Sequence, residues 1–222
     1  MALFDATRAT TKALIAGSCR PTVTGLENFP ARGPVIVAPN HLSFFDSVIV
    51  QALMPRKVAF FAKAEYFTSK GPKGVLWRWF FNSVGSIPVE RGEQAASVAA
   101  LQTALRILEA GDCFGIYPEG TRSRDGQLYR GRTGVGWLAL TTGAPVVPVG
   151  LIGTEQLQPA DAMTIKPRHF TMHVGEPIYF DKLGPDHSLP ARRAATDRIM
   201  DSIAGLTGQP RAGGYNQSKS VD

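Results

Sequence analysis

The chain has no apolar run approaching the roughly 20 residues that a membrane-spanning helix needs, so it does not read as a multi-span membrane protein. It has only two cysteines, Cys19 and Cys113, too few for a disulfide framework or a zinc cluster. Both read as ordinary thiols of a reducing compartment. Charged residues are sparse, 19% of the 222 positions against 44% hydrophobic, which excludes wholesale disorder. Arg8 and Lys12 lie near the start, but no continuous apolar stretch before a cleavage site follows them, so no secretory signal is expected. The Gly-x-Ser-x-Gly pattern of a serine nucleophile elbow is also missing.

What is present suffices for one buried core. Residues 1–20 read as an amphipathic segment, with Leu3, Phe4, Leu14 and Ile15 available either to dock on the domain or to lie on a bilayer. Residues 21–207 read as a single domain, and the polar, Gly-rich run 208–222 as a mobile tail. Between them, apolar strands alternate with helices. Strands are predicted at Val35–Ala38, Lys57–Ala62, Gly85–Val89, Cys113–Tyr117, Val146–Ile152 and Phe170–Val174. Helices are predicted at Phe44–Leu53, Val75–Phe81, Gln94–Glu109, Val135–Leu140 and Pro190–Leu206. Strands that are apolar without alternating are covered on both faces. The expected class is therefore α/β, a single domain with a central mixed, largely parallel sheet flanked by helices.

Charge is uneven. The net charge is +6, and from Arg56 to Arg78 the basic residues Arg56, Lys57, Lys63, Lys70, Lys73 and Arg78 face only Glu65. Such a patch suits an anionic membrane surface, a phosphorylated small molecule or a polyanion. No nucleic-acid recognition motif accompanies it, so nucleic acid is not read as the partner. Trp77, Trp79, Phe80 and Phe81 beside it are either membrane anchors or core aromatics.

Four segments carry candidate chemistry. In Pro39-Asn40-His41-Leu42-Ser43-Phe44-Phe45-Asp46, an imidazole precedes a helix start and a carboxylate follows five positions later. The two meet only if His41 lies in the loop and Asp46 in the first helical turn. His41 then suits a general base and Asp46 its orienting acid. The same spacing also allows a plain capping box with Ser43 as N-cap. Tyr117-Pro118-Glu119-Gly120-Thr121-Arg122-Ser123 follows a strand, where open α/β sheets bind ligands. There Arg122 either grips a phosphate or pairs with Glu119. Gly85 to Arg91 delivers a further guanidinium, and Pro148 within Val147-Pro148-Val149 suggests an edge or bend. His169 and His173 look structural.

In this order, Asn-His-x4-Asp, Gly-x-x-Pro-Val-x-Arg, Pro-Glu-Gly-Thr-Arg-Ser and Val-Pro-Val resemble the glycerophospholipid acyltransferase family, nearest to its 1-acylglycerol-3-phosphate (lysophosphatidic acid) acyltransferases. The resemblance runs from about Gly25 to Pro177. It implies a glycerol-3-phosphate acyltransferase-like fold with His41 and Asp46 as the catalytic pair. Glu119, Gly120, Thr121 and Arg122 match its third motif, Arg91 closes its second, and Lys63 matches a basic segment between the first two. All six are expected at the substrate. Pro88, Val89 and Glu90 depart from the second motif's usual neighbours, which bears on acceptor specificity. The implied reaction moves a fatty acyl group from acyl-CoA or acyl carrier protein to lysophosphatidic acid, giving phosphatidic acid, with no cofactor and no metal. The implied place is peripheral, on the cytoplasmic face of the cell membrane. Competing readings are glycerol-3-phosphate or another lysophospholipid as acceptor, or a non-catalytic binder of anionic lipid.

Overall fold

Val35, Ile36, Val37 and Ala38 are fully buried, which requires covering layers on both sides of their strand. A computed structural model supplies both layers; it describes residues 2–68, 71, 74, 75, 78, 86–89, 94–158 and 166–217. The elements are α1 (Ala2–Cys19), β1 (Thr22–Thr24), β2 (Val35–Pro39), α2 (Asp46–Leu53), β3 (Val58–Lys63), α3 (Glu65–Thr68) and β4 (Ile87–Val89). They continue with α4 (Gln94–Glu109), β5 (Cys113–Gly115), α5 (Gly134–Thr142), β6 (Val146–Ile152), β7 (Thr171–Val174) and α6 (Leu189–Thr207). The seven strands form one sheet in the order β1-β7-β6-β2-β5-β3-β4. From β6 to β4 the neighbours are parallel; β7 runs antiparallel to β6, and β1 is parallel to β7. The sheet is mixed and largely parallel, as the sequence predicts.

Period-two alternation sends side chains to two cores. Val35, Val37, Val58, Phe60, Cys113, Val147 and Val149 meet α2 through Ile49, Val50 and Leu53. Ile36, Ala38, Phe114 and Val146 meet α4, α5 and α6 through Leu108, Leu138 and Ile199. Between Phe60 and β5 the sheet is very tight: a Cβ at position 115 would lie 2.2 Å from the Phe60 ring, so only glycine fits there. The amphipathic segment forms α1, whose Ile15 and Cys19 pack on the first core. The Arg8 guanidinium donates to the Met54 carbonyl. Leu14 stays exposed.

Several boundaries move for identifiable reasons. The α2 helix begins at Asp46 rather than Phe44, because Ser43 Oγ accepts from Phe45 N–H and the Asp46 side chain turns back to Ser43 N–H. Only the carboxylate half of the expected capping box forms. The α4 limits match the periodicity, but Val98 is exposed although its spacing places it on the apolar face. Pro148 lies in a central strand, not at an edge or bend as expected. The strand tolerates it because the β6–β7 ladder ends at Val149 with Val174; Gly175 N–H then donates to the Pro148 carbonyl. Within the run 208–222, read from composition as a mobile tail, Pro210, Ala212 and Gly214 share backbone hydrogen bonds with Leu128 and Arg130 of the loop after β5. The segment predicted as a helix at Val75–Phe81 falls mostly outside the described residues.

Shortening Ile36 to Ala leaves a cavity between β2 and its helices. The expected cost is about 2–5 kcal/mol of unfolding free energy, read as a lower urea midpoint at unchanged slope.

Candidate active site

β2 and β5 are parallel neighbours, and the chain leaves their carboxyl ends toward opposite faces: to α2 after β2 and to α5 after β5. Divergence of this kind opens a crevice at the strand ends. His41 follows β2 and the Tyr117–Ser123 loop follows β5, so both stand at these strand ends.

Asn40 fixes the exit from β2. Fully buried, it extends the pairing with β6 through its side chain: Oδ1 accepts from Leu151 N–H at 2.7 Å and Nδ2 donates to the Leu151 carbonyl at 2.9 Å. The next residue turns off the strand. His41 Nδ1 lies 2.9 Å from Asp46 Oδ2. The same oxygen accepts from Leu42 N–H and Ser43 N–H, each at 2.7 Å. Because a carboxylate only accepts, the imidazole donates from Nδ1, and in the neutral ring this leaves the lone pair on Nε2. Asp46 is fully buried in the first turn of α2, where the helix dipole favours negative charge.

A second ring holds the first. Tyr117 stacks on His41 with centroids 3.8 Å apart and planes 13° from parallel. Its hydroxyl lies 2.8 Å from Ser47 Oγ on α2. Phe60 packs behind it at 5.4 Å. The imidazole is therefore set by a carboxylate at one edge and an aromatic face on one side.

Both main-chain groups of His41 bind the loop across the crevice. Its N–H donates to Glu119 Oε1 at 3.2 Å, and its carbonyl accepts from Ser123 N–H at 2.8 Å. Glu119 Oε2 accepts from Tyr129 N–H at 2.9 Å. Glu119, grouped by the resemblance with the substrate residues, is thus buried with both oxygens on backbone donors; it ties His41 to residue 129 and does not pair with Arg122. Burial pushes its carboxyl up from 4.5 to about 7, against the pull of the two N–H donors and with a further push from Asp46 and Asp125. Gly120 turns the loop at φ +79°. A Cβ there would lie 2.8 Å from the Arg132 side chain. Thr121 and Arg122 follow, both partly buried. Asp125 closes the loop's far end, accepting from Ser123 Oγ, Gln127 and Tyr129 Oη. Burial works to raise its carboxyl, but these bonds outweigh that and hold it below the ordinary range.

Lys63 closes β3, but its side chain is not among those described, and Arg91 lies outside the described residues. So do Lys70 and Lys73 of the basic patch, while Arg56 spends its guanidinium on the Pro30 and Gly111 carbonyls. Burial pushes the Cys113 thiol up to about 11, so it stays protonated at neutral pH. His169 and His173 bond Thr22 and Thr24 across the β1–β7 edge. Reading the sequence missed Tyr117 and Tyr129 as site residues. Tyr117 had a signal, since it opens the Pro-Glu-Gly-Thr-Arg segment; Tyr129 had none.

The family model described as Acyltransferase matches residues 20–152. A chloroplastic 1-acyl-sn-glycerol-3-phosphate acyltransferase of Brassica napus is 31% identical over 163 residues, 72% of this chain and 45% of that protein. A 1-acyl-sn-glycerol-3-phosphate acyltransferase of Bacillus subtilis is 27% identical over 158 residues, 69% of this chain and 71% of its own. The chain spans about half the length of the first plant and algal relatives. The crystal structure of the 1-acyl-sn-glycerophosphate acyltransferase from Thermotoga maritima superposes with a TM-score of 0.69 at 26% identity, covering 93% of this chain and 81% of that one.

The Glu119 shift has a signed consequence. Its folded value, about 7, lies above the unfolded 4.5, so the native state holds an extra proton between them. That contribution to stability is complete below about pH 4.5 and is lost as pH rises through about 7. Glu119→Gln is expected to flatten this part of the stability profile, measured by urea unfolding across that range.

Proposed function

Because the chain belongs to the acyltransferase family, we propose that it transfers a fatty acyl group from a thioester to the free hydroxyl of lysophosphatidic acid, giving phosphatidic acid. The observation that carries this reading is the 2.9 Å contact of His41 Nδ1 with Asp46 Oδ2, locked through the His41 main chain to the loop bearing Arg122.

His41 Nε2 accepts the proton of the acceptor hydroxyl as its oxygen attacks the thioester carbonyl. Asp46 keeps the proton on Nδ1 and stabilises the imidazolium, the role of the acid in a catalytic triad. As the tetrahedral intermediate collapses, the C–S bond breaks and the imidazolium returns its proton to the leaving thiolate. The hydroxyl attacks directly and no acyl-enzyme forms, in keeping with a Cys113 thiol that burial holds protonated. Arg122, with Arg91 and Lys63, grips the acceptor phosphate; guanidinium matches phosphate geometry with paired hydrogen bonds. The donor is acyl-CoA or acyl carrier protein. No helix among the described residues is long and apolar enough to cross a membrane. The protein works peripherally, drawing its amphiphilic acceptor from an anionic membrane surface.

The test is thiol release from palmitoyl-CoA, with and without lysophosphatidic acid, by the wild type and His41→Ala. Release is expected to depend on the acceptor and to fall by roughly 10²–10⁴-fold in the variant. Acceptor-dependent release that survives the substitution would refute the mechanism.

A further inference from the structure

A polar, glycine-rich run has little apolar surface to offset the entropy lost on ordering, so residues 209–216 need specific partners to hold a fixed course. Their partners are concentrated on one loop. Leu128 N–H donates to the Pro210 carbonyl at 2.9 Å, Ala212 N–H to the Leu128 carbonyl at 3.0 Å, and Arg130 N–H to the Gly214 carbonyl at 2.9 Å. This segment lies outside the region matched by the family model, residues 20–152. We propose that it is nevertheless part of the active site, with Asn216 and Gln209 as positioning residues for the phosphate-gripping loop and for His41. The proposal rests on the function argued above.

One peptide group makes the case for Asn216. The Arg122 carbonyl accepts from Asn216 Nδ2 at 2.9 Å. The N–H of that same peptide, on Ser123, donates to the His41 carbonyl at 2.8 Å. A single rigid plane is thus clamped at one end by His41 and at the other by Asn216, with the Arg122 side chain leaving the Cα that precedes it. The Asn216 residue is buried, and its own carbonyl accepts from Arg132 Nη2 at 3.3 Å. Arg132 in turn lies against the Gly120 turn.

Gln209 serves the other side of the crevice. Its Oε1 accepts from Asn40 Nδ2 at 2.8 Å, one residue before His41, and its Nε2 donates to the Gly126 carbonyl at 2.7 Å. Between the two anchors, Tyr215 offers its ring to the guanidinium carbons of Arg130 and Arg132, 5.3 and 5.9 Å from the centroid. Its hydroxyl accepts from Arg193 Nη1 at 3.2 Å. Each guanidinium is attracted to the ring's negative face, which offsets part of the repulsion between like charges. The segment thereby gathers a cationic wall beside the turn that carries Arg122.

The test titrates lysophosphatidic acid against the full chain carrying Asn216→Ala or the near-isosteric Asn216→Asp, which sets a carboxylate against the Arg122 carbonyl. For Asn216→Ala the acceptor KM is expected to rise roughly two- to tenfold, the weight of one hydrogen bond. The kcat stays within about twofold, the mark of binding lost equally from ground and transition states. Asn216→Asp is expected to be worse than Ala despite its matching volume. Unchanged KM in both variants overturns the proposal, as does activity that falls only in step with the folded fraction. If the wild type releases no thiol in response to acceptor, the proposed function fails, and the segment is judged on the same proteins by amide exchange. Lost protection at the Ser123 amide in Asn216→Asp then supports the coupling to His41, and unchanged protection overturns it.

Discussion

Asp46 Oδ2 receives three N–H groups, from the His41 ring, Leu42 and Ser43, and the rest of the site is arranged around that oxygen. Bonds to a charged acceptor contribute roughly 1.5–3 kcal/mol each, enough to hold a turn that no regular element supports. The turn brings residues five apart in sequence into contact, which a continuous helix would place on different faces. One buried carboxylate therefore shapes the loop, starts α2 and selects the imidazole tautomer.

The site's second half depends on the backbone of His41 more than on its side chain. Glu119 and Ser123 take its N–H and carbonyl, so the two motif loops are a single hydrogen-bonded unit at the ends of β2 and β5. Electrostatics divides the labour. Acidic groups lie inward, where Asp46 and Glu119 are buried on N–H donors, while the arginines follow on the loop's outer turns.

Much of the architecture was legible in the sequence because burial imposes a period. Val146–Ile152 and Gln94–Glu109 match their predicted limits. At the start of α2, Ser43 and Asp46 spend their side chains on nearby N–H groups and delay the helix. The spacing of His41 and Asp46 allowed either their contact or a plain capping box, and it was the resemblance that singled out the pair whose contact the structure shows. The bonds of Glu119 to the His41 and Tyr129 amides were not legible, since a carboxylate's letter does not say which donors it will meet. The hydrogen bonds of residues 209–216 were hidden for a related reason. Their partners are distant loop carbonyls and amides, and backbone groups leave no mark on composition.

Gly115 ends β5 where the Phe60 ring crosses over it, closer than any β-carbon would allow. That ring backs Tyr117, and Tyr117 backs His41, so the tilt of the imidazole is inherited from a stack of uncharged rings founded on a missing methyl group. Dispersion contacts of this kind are indifferent to dissolved ions, whereas exposed guanidinium attraction fades beyond a Debye length of about 8 Å at physiological ionic strength. Dissolved salt therefore weakens attraction at the exposed guanidinium groups while leaving this stack of rings undisturbed.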